Sequence, residues 1–331
     1  MDEINPQFLP WQADVLKHAL ALKHQQHLPH AVLIDTASEQ DISAFAGYLS
    51  MLLLCDKPDD LATCGNCQAC KMMQIGTYAD FTLITLEQNE KTKKLNKNIN
   101  IEQIRKLIHE VSLTRQYERL KIAAIYPAEA MNKSSANALL KTLEEPAPQV
   151  LLMLLTHNRG RIPVTLRSRC QSWTIDPPVR SEALEWLRQQ GVQDEMATSY
   201  LQFAGGDPVL ALHLKHHGYA SLVSQFKSRF SQFLRSELSV TDLCRGLLSS
   251  ETAIIRRLIN MTLMAYCYQM SGVDANANLL SGSDKHSAQA IIDLRFKAQQ
   301  QLQIEENNLD LQLQLEDVLI SLKQILTRRL I

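Results

Sequence analysis

Short apolar runs alternate with helical periodicities through the first half of the chain. The runs AVLI at 31–34, FTLITL at 81–86, KIAAIY at 121–126 and VLLMLL at 150–155 are short enough for strands, and 171–175 reads as a fifth. Between them, apolar residues recur every three or four positions. Trp11, Val15 and Ala19 share a side of a helix over 10–22, and Ile42, Phe45, Ala46, Leu49, Leu52 and Leu53 do so over 41–54. Ile101, Ile104, Leu107, Ile108 and Val111 form the apolar side of a third helix, which Asn100 caps with Gln103 placed to complete a capping box. A fourth, from about Ser134 to Glu144, ends before Pro146. The run at 150–155 is apolar at successive positions, as in a strand covered on both faces. Strands separated by helices predict an α/β layer with a mostly parallel sheet.

Asp176-Pro177-Pro178 breaks this pattern, and the rest reads as helical. Helices are predicted at 180–190 and 194–204, and Gly205-Gly206-Asp207-Pro208 forms a turn before another. Longer helices follow, clearest at 252–269 and 285–303, and Leu315, Val318, Leu322, Ile325 and Arg329 share one side of a final helix. The alternation LDLQLQL at 309–315 imitates a strand, but it runs directly into this helical pattern.

The 331 residues suffice for two or three domains. A net charge of -1 gives no global attraction to nucleic acid or membrane. The N-terminus has no signal-peptide character, and runs such as Leu151 to Leu155 are too short to span a bilayer, so a cytoplasmic location is expected. That compartment rules out reading the seven cysteines as a disulfide framework.

Four of them, Cys55, Cys64, Cys67 and Cys70, form C-x8-C-x2-C-x2-C. Four thiolates complete a tetrahedral zinc shell and leave no position for substrate, so structural zinc is expected in place of free thiols or a catalytic metal. Gly65 and Asn66 allow a tight turn between ligands, while Cys170, Cys244 and Cys267 are scattered.

The strand 31–34 followed by a helix is the setting of a phosphate-cradling loop. Yet Asp35-Thr36-Ala37-Ser38-Glu39-Gln40-Asp41-Ile42-Ser43 contains neither Gly nor Lys, and its three carboxylates oppose a triphosphate. The strand 121–126 leads into Tyr126-Pro127-Ala128-Glu129 where acidic residues would hold magnesium; only Glu129 remains. Arg167 and Arg169, flanking Ser168 before the last strand, fit either surface arginines paired with carboxylates or a contribution to a neighbour's ATP site. Lys91, Lys93, Lys94 and Lys97 crowd a polar loop at 87–98, read as solvated surface.

NALLKTLEEP at 137–146, TLRSRC at 165–170, the four-cysteine insertion after the first core helix and the degenerate phosphate loop together resemble the bacterial DNA polymerase III clamp-loader family of AAA+ ATPases, across essentially the whole chain. The ATP-hydrolysing gamma/tau members keep an intact phosphate loop and an acidic magnesium motif, which this chain lacks, and the delta subunit lacks the cysteines. The resemblance therefore implies a non-hydrolysing member in a heteropentamer with gamma/tau ATPases and delta, acting on the sliding clamp and primer–template DNA. It implies a RecA-like domain over 1–176 with the zinc-binding insertion at 55–70, a helical lid over 177–218 and an all-helical collar over 219–331.

By the same resemblance, Cys55, Cys64, Cys67 and Cys70 are the zinc ligands. Arg169 is an arginine finger acting in trans, framed by Ser168 and Cys170. Thr156 holds a sensor position, and Gly205-Gly206-Asp207-Pro208 opens the sensor-2 helix, although Val209-Leu210-Ala211 supplies no arginine there. Neither bound ATP nor activity of the isolated chain is expected, though the chain belongs with a DNA-directed DNA polymerase holoenzyme. Two other readings remain: a zinc-containing DNA-binding module using Lys91–Lys97, and a gamma/tau-like ATPase with an unusual nucleotide loop.

Overall fold

A computed structural model describes residues 8–36, 42–88, 95–113, 116–117, 120–216, 219–247, 259, 292–294 and 311–327. The chain divides into two units, Met1–Trp186 and Leu187–Ile331.

The first unit is built on five strands, β1 (Ala31–Thr36), β2 (Phe81–Ile84), β3 (Lys121–Ile125), β4 (Val150–Thr156) and β5 (Gln171–Ile175), in the order β2-β3-β4-β1-β5. All neighbours pair in parallel. Because successive side chains point to opposite faces, each apolar run serves two cores. Val32, Ile34, Leu151, Met153, Leu155 and Trp173 pack on one face with α1 (Ala13–His24), α2 (Ile42–Leu54) and α3 (Gln68–Gln74). Ala31, Leu33, Ala123, Ile125, Leu152 and Leu154 pack on the other with α4 (Ile101–Ser112), α5 (Lys133–Glu144) and Leu166 of the short α6 (Val164–Arg167). Central β4 is buried at every position, as its unbroken apolar run predicts.

Helix α2 is buried from Phe45 through Leu54, which explains why its sequence is apolar nearly all round. At α4 the predicted box is present. Asn100 Oδ1 accepts from the Gln103 N–H at 3.0 Å, and Gln103 Oε1 accepts from the Asn100 N–H at 3.0 Å. Helix α5 begins one residue before Ser134 because Asn132 caps it, accepting from the Ser135 N–H at 2.8 Å. Strands β2 and β3 stop short of the predicted Leu86 and Tyr126, whereas β4 runs on to Thr156. Lys121, at the start of β3, is almost wholly buried against Asp80 at 3.6 Å and donates to the Glu110 and Leu113 carbonyls. Asp80 also accepts from the backbone of Gln116 and Tyr117, so one buried ion pair ties the segment after α4 to the sheet.

The helix α7 (Arg180–Gln189) spans the boundary between the units. In the second unit, α8 (Asp194–Phe203), α9 (Pro208–His216), α10 (Tyr219–Leu234) and α11 (Val240–Leu247) precede a C-terminal helix, Leu311–Thr327. Gly205 and Gly206 take positive φ of 66° and 92°, and Asp207 then caps α9 through the N–H groups of Val209 and Leu210. Phe226, Phe230 and Phe233 line one side of α10, with Lys323 Nζ 4.6 Å from the Phe233 ring centre. From Leu311 onward the LDLQLQL segment is helical, and Leu315, Val318 and Leu322 are buried. The helices expected at 252–269 and 285–303 lie outside the described residues apart from 259 and 292–294, which are helical; Arg329 also lies outside. No helix among the described residues is long and apolar enough to cross a membrane.

Candidate functional site

The cysteine insertion follows directly from the end of α2. Cys55 terminates that helix, Cys67 caps α3 and Cys70 lies in its first turn. Gly65 turns the chain between them at φ +67°, where a side chain would meet open space, so glycine is needed there for its backbone freedom alone. The four Sγ atoms lie within 4.8 Å of one another, and Cys64 Sγ is 3.9 Å from Cys70 Sγ. A tetrahedral shell with metal–sulfur bonds of about 2.3 Å needs sulfurs about 3.8 Å apart. Backbone N–H groups point at the sulfurs: Cys64 N–H at Cys55 Sγ and Cys67 N–H at Cys64 Sγ, both 3.3 Å, and Cys70 N–H at Cys67 Sγ, 3.5 Å.

As thiols, Cys55 and Cys70 are pushed up chiefly by burial, while the N–H groups of Cys67 and Asn66 draw Cys64 down to about 6. Thiolates gathered at this spacing repel one another unless a cation joins them, and the donor set can coordinate a metal ion. Cys170 packs with the core on the opposite face of the sheet and cannot be a fifth ligand; burial raises it to about 11.

The C-terminal ends of parallel strands are where an α/β sheet receives ligands. Here the chain's own side chains meet at those ends. The Tyr126 hydroxyl, just past β3, lies 2.9 Å from His157 Nε2, just past β4. His157 Nδ1 is 3.4 Å from the Thr36 carbonyl at the end of β1, and its backbone N–H donates to Glu129 Oε1 at 3.2 Å. Glu129, the carboxylate left after the third strand, is thus directed at this cluster, its other oxygen buried without a partner among the described residues. Asp35 accepts from Thr174 Oγ1 at 3.1 Å and faces Arg159 at 3.9 Å, so its charge is locally offset. Glu39 and Asp41 lie outside the described residues. Thr156 is fully buried and accepts from the Asn158 N–H at 3.0 Å. His157 was not singled out from the sequence; its position next to Thr156, where the central strand ends, was the available signal.

Arg169 stands between α6 and β5 with about a third of its side chain exposed, 33%. Its Nε donates to Glu144 Oε1 at 2.9 Å, and Nη2 donates to the same oxygen. Nη1 donates to the Thr165 carbonyl at 2.9 Å and reaches Ser168 Oγ at 3.4 Å. The NALLKTLEEP helix and the TLRSRC box are therefore joined side chain to side chain. Ser168 is exposed and donates to the Thr165 carbonyl. Arg167 keeps its Nε buried without a partner among the described residues. Of the loop lysines, Lys97 is exposed, and Lys91, Lys93 and Lys94 lie outside the described residues.

Comparison with known proteins agrees along this same half of the chain. The family described as DNA polymerase III, delta subunit, matches residues 11–178. The DNA polymerase III subunit delta' of Pseudomonas aeruginosa is 32% identical over 240 residues, covering 72% of this chain and 70% of that protein. Its counterpart in Haemophilus influenzae is 30% identical over 232 residues, covering 68% and 67%. A crystal structure of a DNA polymerase III gamma subunit-related protein from Thermotoga maritima superposes loosely, with a TM-score of 0.49 at 16% identity over 93% of this chain and 99% of that one.

Proposed function

The chain belongs to the clamp-loader delta-prime family of DNA polymerase III, within the AAA+ superfamily, and from that membership we propose that it is a non-hydrolysing clamp-loader subunit that lends Arg169 to the ATP site of an adjacent motor subunit. The observation that carries the first part of this reading is the cluster at the strand ends. Tyr126, His157 and Glu129 meet at the strand ends, the side of the sheet where an α/β fold receives its ligands, and the segment after β1 offers no Gly or Lys to phosphate. A chain that turns over no ATP of its own contributes through its surface. Arg169, partly exposed beside the sheet and carrying a planar fork of donors, is suited to the charge that develops on a transferring phosphate.

The partners in this reading are gamma/tau-type ATPase subunits and a delta subunit, with the sliding clamp and primer–template DNA engaged by the whole complex. ATP in the motor subunits assembles the clamp-opening state, and Arg169 promotes hydrolysis once DNA is bound. Ser168 and Cys170 frame the finger, one exposed beside it and the other anchored in the core. Cys55, Cys64, Cys67 and Cys70 hold a structural zinc ion, which would cross-link α2 to α3 and take no part in the reaction. The division into a RecA-like domain to residue 176, a lid from 177 to 218 and a collar from 219 belongs to the same proposal.

Replacing Arg169 with Ala in the reconstituted complex tests it. Turnover at the adjoining site is expected to fall by about a thousandfold, with clamp loading slowed and subunit assembly intact. Unchanged ATPase and loading rates would remove Arg169 from this role.

A further inference from the structure

Arg169 is already occupied. A guanidinium carries five N–H donors. In this chain Nε–H and one Nη2 N–H go to a single carboxylate oxygen of Glu144, and Nη1 goes to the Thr165 carbonyl and Ser168 Oγ. What remains is one Nη2 N–H, too little for the two-pronged grip that makes arginine suited to phosphate. The Glu144 carboxylate also cancels much of the positive charge that a transferring phosphate would call on.

Glu144 and Arg169 are both partly exposed, at 51% and 33% of their side chains, so water screens the pair and its net strength is small. Carboxylate and phosphate are interchangeable partners for a guanidinium fork, and the phosphate carries more charge. Among the described residues the Glu144 carboxylate, presented from the last turn of α5, has Arg169 as its partner.

The geometry points to Glu144 as a latch: it holds Arg169 against its own chain until the phosphate of a neighbour's nucleotide displaces it. This inference rests on the reading of Arg169 as a donor in trans. Glu144 is a positioning residue, acting only through Arg169. It competes with nucleotide, so it raises the ATP concentration at which the neighbouring site becomes competent without altering the rate once that site is filled.

The test is the reconstituted complex carrying E144Q, R169A or both, with ATPase rate followed against ATP concentration. Gln at 144 keeps the size and removes the charge at an exposed position. For E144Q the concentration giving half-maximal rate is expected to fall about two- to fivefold, the range that a surface ion pair allows, with kcat unchanged. In the R169A background, E144Q is expected to change nothing. An unaltered half-saturation, or a fall in kcat like that of R169A, would overturn the latch while leaving Arg169 in its role. An R169A complex with normal turnover would instead overturn the underlying reading and the latch with it. In the isolated chain, the Arg169 Nε–H exchange rate with solvent should rise on E144Q; equal rates would show that the pair does not form.

Discussion

Cys64 shows how much a few backbone groups achieve at the scale of one residue. Two N–H donors draw its thiol down to about 6, whereas burial alone raises Cys170 to about 11, and burial together with the Glu316 carboxylate raises Cys244 to about 12. The thiolate is the nucleophile, so a lowered value means reactivity at neutral pH and a raised one means inertness. After treatment with a chelator, Cys64 should therefore be alkylated readily at pH 7, and the rate should fall about tenfold per unit as the pH drops below its value. Cys170 and Cys244 should stay unmodified in the folded chain; mass spectrometry of the peptides reads both. Cys70→Ser removes a fully buried thiol from the proposed zinc site, and metal content measured on the purified chain should drop from about one zinc per chain towards none, with loss of thermal stability.

These cysteines were legible in the sequence because their spacing is local and the turn chemistry lies between them. Glu144 was not, since 25 residues separate it from Arg169 and only the packing of α5 beside α6 brings them together. His157 escaped for the same reason. Its partners come from the ends of two other strands.

At the scale of elements, the patterns located all five strands and helices α1, α2, α4 and α5, and the capping box at Asn100 was readable residue by residue. Helices α3 and α6, of 7 and 4 residues, are too short to show a helical period. The ends of elements were less legible. FTLITL continues its apolar pattern beyond Ile84, but the paired register of β2 with β3 stops there. Tyr126, taken as strand, has left β3 and turned its hydroxyl to His157. LDLQLQL imitates a strand, yet the described second unit is helical and offers that segment no sheet to join, so local alternation yields to context.

The buried pair of Lys121 and Asp80 had no sequence signature. Its removal is a prediction at this scale: Asp80→Ala leaves a buried ammonium without its counter-charge, held only by carbonyl oxygens, and two backbone N–H groups without their acceptor. A cost of roughly 3–5 kcal/mol is expected in urea unfolding, with the segment around Gln116 and Tyr117 becoming the first site of protease cleavage.

Taken as a whole molecule, the chain has a three-layer first unit and a second unit whose described elements are helices, and its proposed chemistry is confined to the first. The family is legible because its sequence signatures fall on elements that the fold brings into one unit: cysteines off α2, an arginine between α6 and β5, and an emptied loop after β1. What the sequence could not convey is what gathers at the strand ends. It shows that the segment after β1 lacks Gly and Lys, and only the structure shows tyrosine, histidine and glutamate meeting near the ends of β1, β3 and β4.

The five-stranded sheet, finally, acts as a partition wall. Its two faces bury separate sets of side chains, so a defect on one side has no side-chain route to the other. Ile34→Val on the α2 side and Ile125→Val on the α5 side should each cost about 0.5–1.5 kcal/mol. The double variant should lose their sum to within about 0.5 kcal/mol, measured by the same unfolding assay. Thermodynamic independence of that kind lets the cysteine layer and the arginine layer accumulate substitutions separately, each constrained by its own core and neither by its neighbour's.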